Sequence, residues 1–222
     1  MAHRILALAA SLTLLCSTPV LARVDESCAN GHSCQDGAAT SKSLAPHHYW
    51  IGGKDVALTE KEAEREQRCL SLVAFAEARG EGRDGMAAIM FVVMNRIRAT
   101  AEGTFPGPAA AKGKEVLPCD IVAQKGAFEA LRGARFHRAL LSIRHGQAPL
   151  LRRHPDPTEK GSLELAQSLA RGIMRGEVTD DITAGATHFY CPTEQRQLRR
   201  SKPEWADRMV ATAQIGKQVF YR

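Results

Sequence analysis

Apolar residues recur at helical spacing through much of the chain from about residue 59 to residue 176. Thr59 and Glu62 have the spacing of a capping box, which predicts a helix that begins there and that Gly80 can end. A second helix, capped by Asp84 and running to about Arg98, is apolar on nearly every side and should be buried. Further helices are expected over 119–131, 136–145 and 163–176.

The pattern changes in the last part of the chain. Segments 186–190 and 218–221 are rich in β-branched and aromatic residues, which predicts short strands. Residues 23–57 lack sustained periodicity and are predicted to form a flexible leader or linker. The sequence therefore predicts an α+β fold, mostly helical with a small β element late in the chain, in one domain over residues 58–222.

The N-terminus has the organisation of a secretory signal peptide over residues 1–22. His3 and Arg4 precede an apolar run, and a small-residue cleavage pattern ends at Ala22. That run is too short to span a bilayer, and no later segment approaches the necessary length. We expect an exported protein of the periplasm or cell envelope without stable membrane insertion.

The cysteine pattern limits the disulfides and metal sites that can be expected. Beyond the signal peptide lie Cys28, Cys34, Cys69, Cys119 and Cys191. The first two are close enough for a local disulfide, and two of the other three can join distant segments, with the pairing left open. No spacing suggests a metal site, and no cofactor is expected.

The chain carries a formal net charge of +6, with basic clusters over 150–154 and 196–202. In an exported protein these clusters favour an anionic envelope polymer over nucleic acid as a partner. An ordinary solvated surface is an equally good interpretation of each cluster.

One glutamate is a candidate acid catalyst. Glu77 shares a helix side with Leu70 and Val73, just before a glycine. Desolvation on that face would raise its pKa and keep a fraction of the carboxyl protonated, as a general acid requires. The alternative is a solvated glutamate paired with Arg79 or Arg83.

Other chemically capable side chains gather late in the chain. Thr187, His188 and Tyr190 follow one another closely, and Trp205 supplies a second aromatic ring. Opposite a carboxylic acid, this set suits a carbohydrate, because aromatic faces stack on sugar rings. Asn95, inside the buried helix, must either brace a loop or face a site.

From Cys69 onward the sequence resembles the SleB-type cell-wall hydrolases, named for the spore-cortex lytic enzymes. The similar segments, in order, are 69–70, 75–81, Gly85, 94–97, 105–106, 119–122, 185–190, 203–206 and 215–222. The resemblance implies a lysozyme-related fold and cleavage of peptidoglycan glycan strands between N-acetylmuramic acid and N-acetylglucosamine. It assigns the catalytic acid to Glu77, the first glutamate of Glu-Ala-Arg-Gly-Glu.

The reaction implied by the resemblance is that of a lytic transglycosylase, which needs one protein carboxyl group. Hydrolysis would commonly require a second carboxylate, for which Glu81, Asp84 and Asp120 are the candidates. The residues expected to bind substrate are Glu81, Asn95, Thr187, His188, Tyr190 and Trp205.

The chain departs from the family pattern in two places. Ala127-Phe128-Glu129 stands where many relatives have Gln-Phe-Ser, and the stretch 132–161 is extended. Two other functions stay open: a Cys/His cell-wall amidase using Cys191 or Cys69 with His188, and a non-catalytic envelope-binding protein. The sequence does not identify an activator protein.

Overall fold

The computed structural model describes residues 46–108, 114–148 and 157–222. Its elements are β1 (His47–Ile51), β2 (Lys54–Leu58), α1 (Glu60–Ala78), α2 (Gly82–Ala101), α3 (Pro118–Val122), α4 (Ala134–Arg144), α5 (Pro157–Met174), β3 (His188–Tyr190), α6 (Pro192–Gln197), β4 (Ala211–Ile215) and β5 (Gln218–Tyr221). Short 3-10 turns occupy Ala130–Arg132 and Glu204–Asp207. The α+β prediction is confirmed, while the signal peptide and the Cys28–Cys34 pair lie outside the described residues.

A β-hairpin precedes the first helix. β1 and β2 pair antiparallel across Gly52 and Gly53, whose φ angles of 58° and 85° suit the tight turn of a two-residue hairpin. Ile51, Val56 and Leu58 are buried from this hairpin. Residues 47–57 are therefore not part of the flexible linker that the sequence predicts. Their period-2 alternation is only five residues long on each side of the glycines, too short to register as sustained periodicity.

The capping box at the start of α1 is confirmed. The Thr59 side chain accepts from the Glu62 N–H, and the Thr59 N–H donates to the Glu62 carboxylate at 2.9 Å. α1 ends at Ala78, just before Gly80 as predicted, but Gly80 is not left-handed; the left-handed glycine is Gly82, with φ 69°, the first residue of α2. α2 accordingly begins before Asp84, and Glu81 takes the N-cap position.

The core is formed where α1 packs against α2 and α5. Almost every side chain of α2 from Met86 to Ile97 is apolar and buried, as its all-round hydrophobicity predicts. The helices predicted over 136–145 and 163–176 correspond to α4 and α5. The single helix predicted over 119–131 is wrong, since Gly126 adopts φ 79° and separates α3 from the turn at Ala130–Arg132.

The late β element is a three-stranded antiparallel sheet in the order β3-β5-β4. β3 and β5 correspond to the predicted strands, and Phe189 pairs with Phe220 across them. β4 was not predicted. No helix in the described parts of the chain is both long enough and apolar enough to cross a membrane.

A disulfide between Cys69 and Cys119 ties α3 to α1 and resolves one of the open pairings. Beside it, the buried Glu66 carboxylate accepts the Cys119 N–H at 2.7 Å. Burial raises the pKa of Glu66, while this hydrogen bond and Arg65 oppose the rise. These contacts hold α3 against α1, and segment 124–130 follows directly after α3.

Candidate active site

A cleft of about 610 Å³ opens beside the C-terminal end of α1. Segment 124–130 and the β3–α6 region supply most of its remaining walls. The residues that line it and enter the argument below are Glu77, Arg96, Phe105, Glu129, Ala130, His188, Tyr190, Cys191, Glu194, Trp205 and Gln218.

Glu77 lies in the last turn of α1 and contacts the cleft. Its Oε1 accepts the backbone N–H of Ala130 at 2.9 Å. Burial raises the pKa of Glu77 from 4.5 to about 7, because the charged form loses hydration. The Ala130 hydrogen bond and Arg96 oppose this rise, and the carboxylates of Glu194 and Glu129 add to it. A carboxyl with this pKa is about half protonated at neutral pH.

Arg96 is a buried cation beneath the cleft that the sequence analysis did not assign to the site. Its guanidinium donates to the carbonyl oxygens of Thr187 at 2.7 Å and Ala127 at 3.2 Å. The same group lies 4.7 Å from the ring centroid of Phe128 and 5.4 Å from that of Phe105. Burial lowers its pKa to about 10, so it stays charged at neutral pH. The signal available in the sequence is an arginine that, with Asn95, interrupts the apolar run of this helix.

An aromatic wall faces the cleft, built from His188, Tyr190 and Trp205. The His188 and Trp205 rings are 5.0 Å apart between centroids, and Tyr190 meets Trp205 at 5.9 Å in a T-shaped arrangement. Burial, with a contribution from Arg96, lowers the pKa of His188 to about 4, so its imidazole is neutral at neutral pH. The fold thus brings three predicted substrate-binding residues together, and their ring faces suit a sugar.

Two other residues that were predicted to bind substrate, Asn95 and Thr187, support the aromatic wall without lining the cleft. Asn95 donates from Nδ2 to the Asp181 carboxylate at 2.9 Å and to the Ala186 carbonyl at 3.1 Å. It therefore braces the loop before β3, the first of the two roles expected of it. The Thr187 hydroxyl is hydrogen bonded to His188 Nδ1 at 2.9 Å, which orients the imidazole.

Glu81 also lies outside the cleft lining. Its Oε2 accepts the Lys217 N–H at 3.0 Å in the turn between β4 and β5. Gly216 in that turn has φ 56°, and an added Cβ there would lie 2.0 Å from Glu81 Oε2. Glu81 therefore anchors the hairpin that contains β5.

The carboxylates that share the cleft with Glu77 are not those the sequence suggested. Asp120 accepts the Leu117 N–H at 3.0 Å at the start of α3, and Asp84 is exposed in the first turn of α2. Glu129 and Glu194 line the cleft instead.

Glu129 belongs to the segment that departs from the family pattern. Its carboxylate pairs with Arg200 at 2.6 Å. Only the folding of segment 124–130 over the end of α1 brings Glu129 near Glu77, so spacing along the chain could not identify it.

The cysteine candidates have different surroundings. Cys69 is held in the disulfide and cannot serve as a nucleophile. Cys191 lines the cleft, where its sulfur accepts the Glu194 N–H at 3.4 Å at the start of α6. Among the described residues, no group of three or more His, Cys, Asp or Glu side chains is arranged to hold a metal ion.

Comparisons with known proteins agree with the resemblance seen in the sequence. The sequence profile of the cell wall hydrolase family matches residues 80–221, a range that begins just after Glu77. A comparison with curated proteins gives no match.

Two solved structures are similar to this chain. The catalytic domain of the Bacillus cereus SleB protein is 17% identical, with 72% of this chain and 91% of that chain covered and a TM-score of 0.40. The catalytic domain of the germination-specific lytic transglycosylase SleB from Bacillus anthracis has the same identity and TM-score, with 72% and 95% covered. Because the family profile spans more than half of its 222 residues, this chain belongs to the cell wall hydrolase family.

Proposed function

We propose that this protein cleaves peptidoglycan glycan strands between N-acetylmuramic acid and N-acetylglucosamine as a lytic transglycosylase, with Glu77 as general acid and base. The observation that carries the proposal is the Glu77 carboxyl group, whose pKa is raised to about 7 at the wall of a large cleft. Membership in the cell wall hydrolase family supports the substrate class. The aromatic wall of His188, Tyr190 and Trp205 supports a sugar ligand.

In the proposed reaction, protonated Glu77 gives its proton to the glycosidic oxygen as the bond from that oxygen to C1 of muramic acid breaks. The Glu77 carboxylate then takes the proton of the muramic acid 6-hydroxyl as this oxygen bonds to C1. The products are a 1,6-anhydro end and a free 4-hydroxyl, and no water is consumed. The same carboxyl group performs both transfers because a pKa near neutrality permits each direction at small cost.

The remaining contacts of Glu77 suit this role. The Ala130 N–H holds one carboxyl oxygen at 2.9 Å and so restricts the direction in which the proton is delivered. Arg96, buried beside it, supplies positive charge that partly stabilises the carboxylate after the first transfer. Neutral His188 does not compete as an acid at neutral pH.

Hydrolysis is a second candidate outcome, favoured by Glu129 and Glu194. Both carboxylates line the cleft with Glu77, and in a muramidase one of them would position the attacking water or stabilise the sugar cation. The ion pair between Glu129 and Arg200, at 2.6 Å, already engages one Glu129 carboxylate oxygen that such a role would use.

The test is digestion of purified peptidoglycan by the mature protein and by Glu77→Gln, with products identified by mass spectrometry. Glu60→Gln is the matched control, since Glu60 is exposed at the opposite end of the same helix. We expect 1,6-anhydromuramic ends from the unmutated protein and the control, and at least a 100-fold lower rate from Glu77→Gln.

Each other outcome has a definite meaning. Reducing muramic acid ends would make the enzyme a muramidase. Full activity in Glu77→Gln would refute the catalytic assignment. Binding to sacculi without any soluble products would favour a non-catalytic envelope-binding protein. Release of peptides that is lost on alkylation of Cys191 would favour the amidase.

We further propose that residues 1–22 direct export and that the enzyme acts in the cell envelope. This location follows from the substrate and from the signal-like N-terminus. Processing is checked by N-terminal sequencing of the protein recovered from the periplasm, where removal of residues 1–22 is expected.

A further inference from the structure

Gln218, the first residue of β5, connects the late sheet to the candidate acid. Its Nε2 donates to the backbone carbonyl oxygen of Glu77 at 3.2 Å, and the residue forms part of the cleft wall. It is only 6% exposed, yet the residues that follow it in β5 are the apolar and aromatic Val219, Phe220 and Tyr221. A buried amide in this strand calls for hydrogen-bond partners on both of its ends.

Only one end of that amide has a partner. The Gln218 Oε1 is buried and makes no hydrogen bond to any of the described residues. The orientation of the amide is set by the Glu77 contact, since exchanging its nitrogen and oxygen would place two carbonyl oxygens against each other. The unmatched atom is therefore the acceptor, and it belongs to a side chain held directly against the backbone of Glu77.

A purely structural role explains only the Nε2 contact. If the residue served packing alone, an apolar side chain of similar length would fill the position without desolvating a carbonyl oxygen. Binding sites that hydrogen bond a substrate show this pattern, because the polar group is satisfied only when the ligand is present. A neutral acceptor also adds no further negative charge beside Glu77, Glu129 and Glu194.

We propose that Gln218 Oε1 accepts a hydrogen bond from the glycan, from a sugar hydroxyl or an acetamido N–H of the ring bound beside Glu77. This inference rests on the proposed glycan-cleaving function. The oxygen is shielded from solvent, so the contact forms as the cleft wall adjusts around the sugar. Gln218 is then a substrate-binding residue that places the ring relative to the proton on Glu77.

The experiment measures glycan binding without turnover. In a Glu77→Gln background, calorimetry gives the Kd for soluble peptidoglycan glycan fragments, both intact and de-N-acetylated. Gln218→Met removes the acceptor at similar size, and Gln214→Met is the matched control on the exposed side of β4. We expect Gln218→Met to weaken binding roughly 3- to 10-fold and Gln214→Met to leave it unchanged.

Gln218→Lys separates substrate contact from support of the helix end. Its ammonium group keeps a donor for the Glu77 carbonyl but has no acceptor for the glycan. Our inference predicts that Gln218→Lys weakens binding roughly 3- to 10-fold, as Gln218→Met does. A purely structural role predicts that Gln218→Lys binds with the affinity of the parent, and that result would overturn the inference. If Gln218→Met does not fold, as judged by thermal melting, Gln218→Lys decides alone.

Comparing the intact with the de-N-acetylated glycan identifies which sugar group donates to Gln218. Weakening confined to the intact glycan supports the acetamido N–H, and equal weakening of both ligands supports a hydroxyl. Unchanged affinity in folded Gln218→Met overturns the inference. Failure of the underlying function looks different: the parent would bind neither glycan, or Glu77→Gln would cleave at the unmutated rate.

Discussion

Replacing Glu77 by glutamine should make the folded protein more stable at alkaline pH, even though it abolishes the proposed catalysis. Burial raises the pKa of this carboxyl from 4.5 to about 7, so the folded state resists ionisation that the unfolded chain undergoes freely. Glutamine has nearly the same shape and keeps an oxygen that can accept the Ala130 N–H. The substitution therefore removes the ionisable proton while leaving the packing nearly intact.

The size of the effect follows from the pKa difference. Well below pH 4.5 the carboxyl is neutral in both states, and the two proteins should be equally stable. As the pH rises toward 7 the unfolded chain ionises first, and the unmutated protein loses stability relative to the variant. Above about pH 7 the difference levels off at about 3 kcal/mol, or roughly 6–12 °C in Tm for a domain of this size.

The assay is urea denaturation of both proteins at a series of pH values from about 4 to 9, with the difference in unfolding free energy plotted against pH. Glu62→Gln is a control of opposite sign, because its hydrogen bonds to Thr59 lower the pKa of Glu62. That variant should lose stability relative to the unmutated protein as the pH rises through the range up to about 4.5, and the difference should stay constant at higher pH, so the series for this control begins at about pH 3. A difference curve for Glu77→Gln that is flat with pH, or that falls as the pH rises, would refute the burial argument.

Three further predictions concern the cleft and its supports. Glu129→Gln removes a carboxylate that raises the pKa of Glu77, so the loss of cleavage activity on the alkaline side should move to lower pH in a pH–rate profile. Gly216→Ala introduces a Cβ at φ 56° and within 2.0 Å of the Glu81 carboxylate, so we expect a loss of roughly 1–3 kcal/mol in chemical denaturation. Asn95→Leu removes the donor to the buried Ala186 carbonyl and one of the donors to the Asp181 carboxylate, which keeps the Gly185 N–H, so it should cost about 1–3 kcal/mol of stability, with KM for glycan unchanged when the protein is assayed below its Tm.

Local patterns in the sequence were enough to place the Glu77 carboxyl group on the apolar side of its helix. The capping box at Thr59 fixed the start of α1, and the apolar spacing through Leu70 and Val73 set the side on which Glu77 lies. Helical periodicity involves residues only three or four positions apart, so it can be read without knowing the fold. The same holds for the buried α2 and for the strands that end the chain.

The surroundings of Glu77 depend on contacts between distant segments. Its hydrogen-bond donor lies 53 positions along the chain, and Gln218, which binds its carbonyl, lies 141 positions away. No periodicity connects such residues, and three of the predicted substrate-binding positions accordingly turned out to brace the site from outside the cleft lining.

The sequence by itself determined the helical framework, the carboxyl group on an apolar face and the family. The tertiary structure decided which groups surround that carboxyl group: Glu129 and Glu194 rather than Glu81, Asp84 or Asp120. The physical reason is that a raised pKa comes from desolvation and from charges close in space, and both are set only when α1, segment 124–130 and the late sheet pack together.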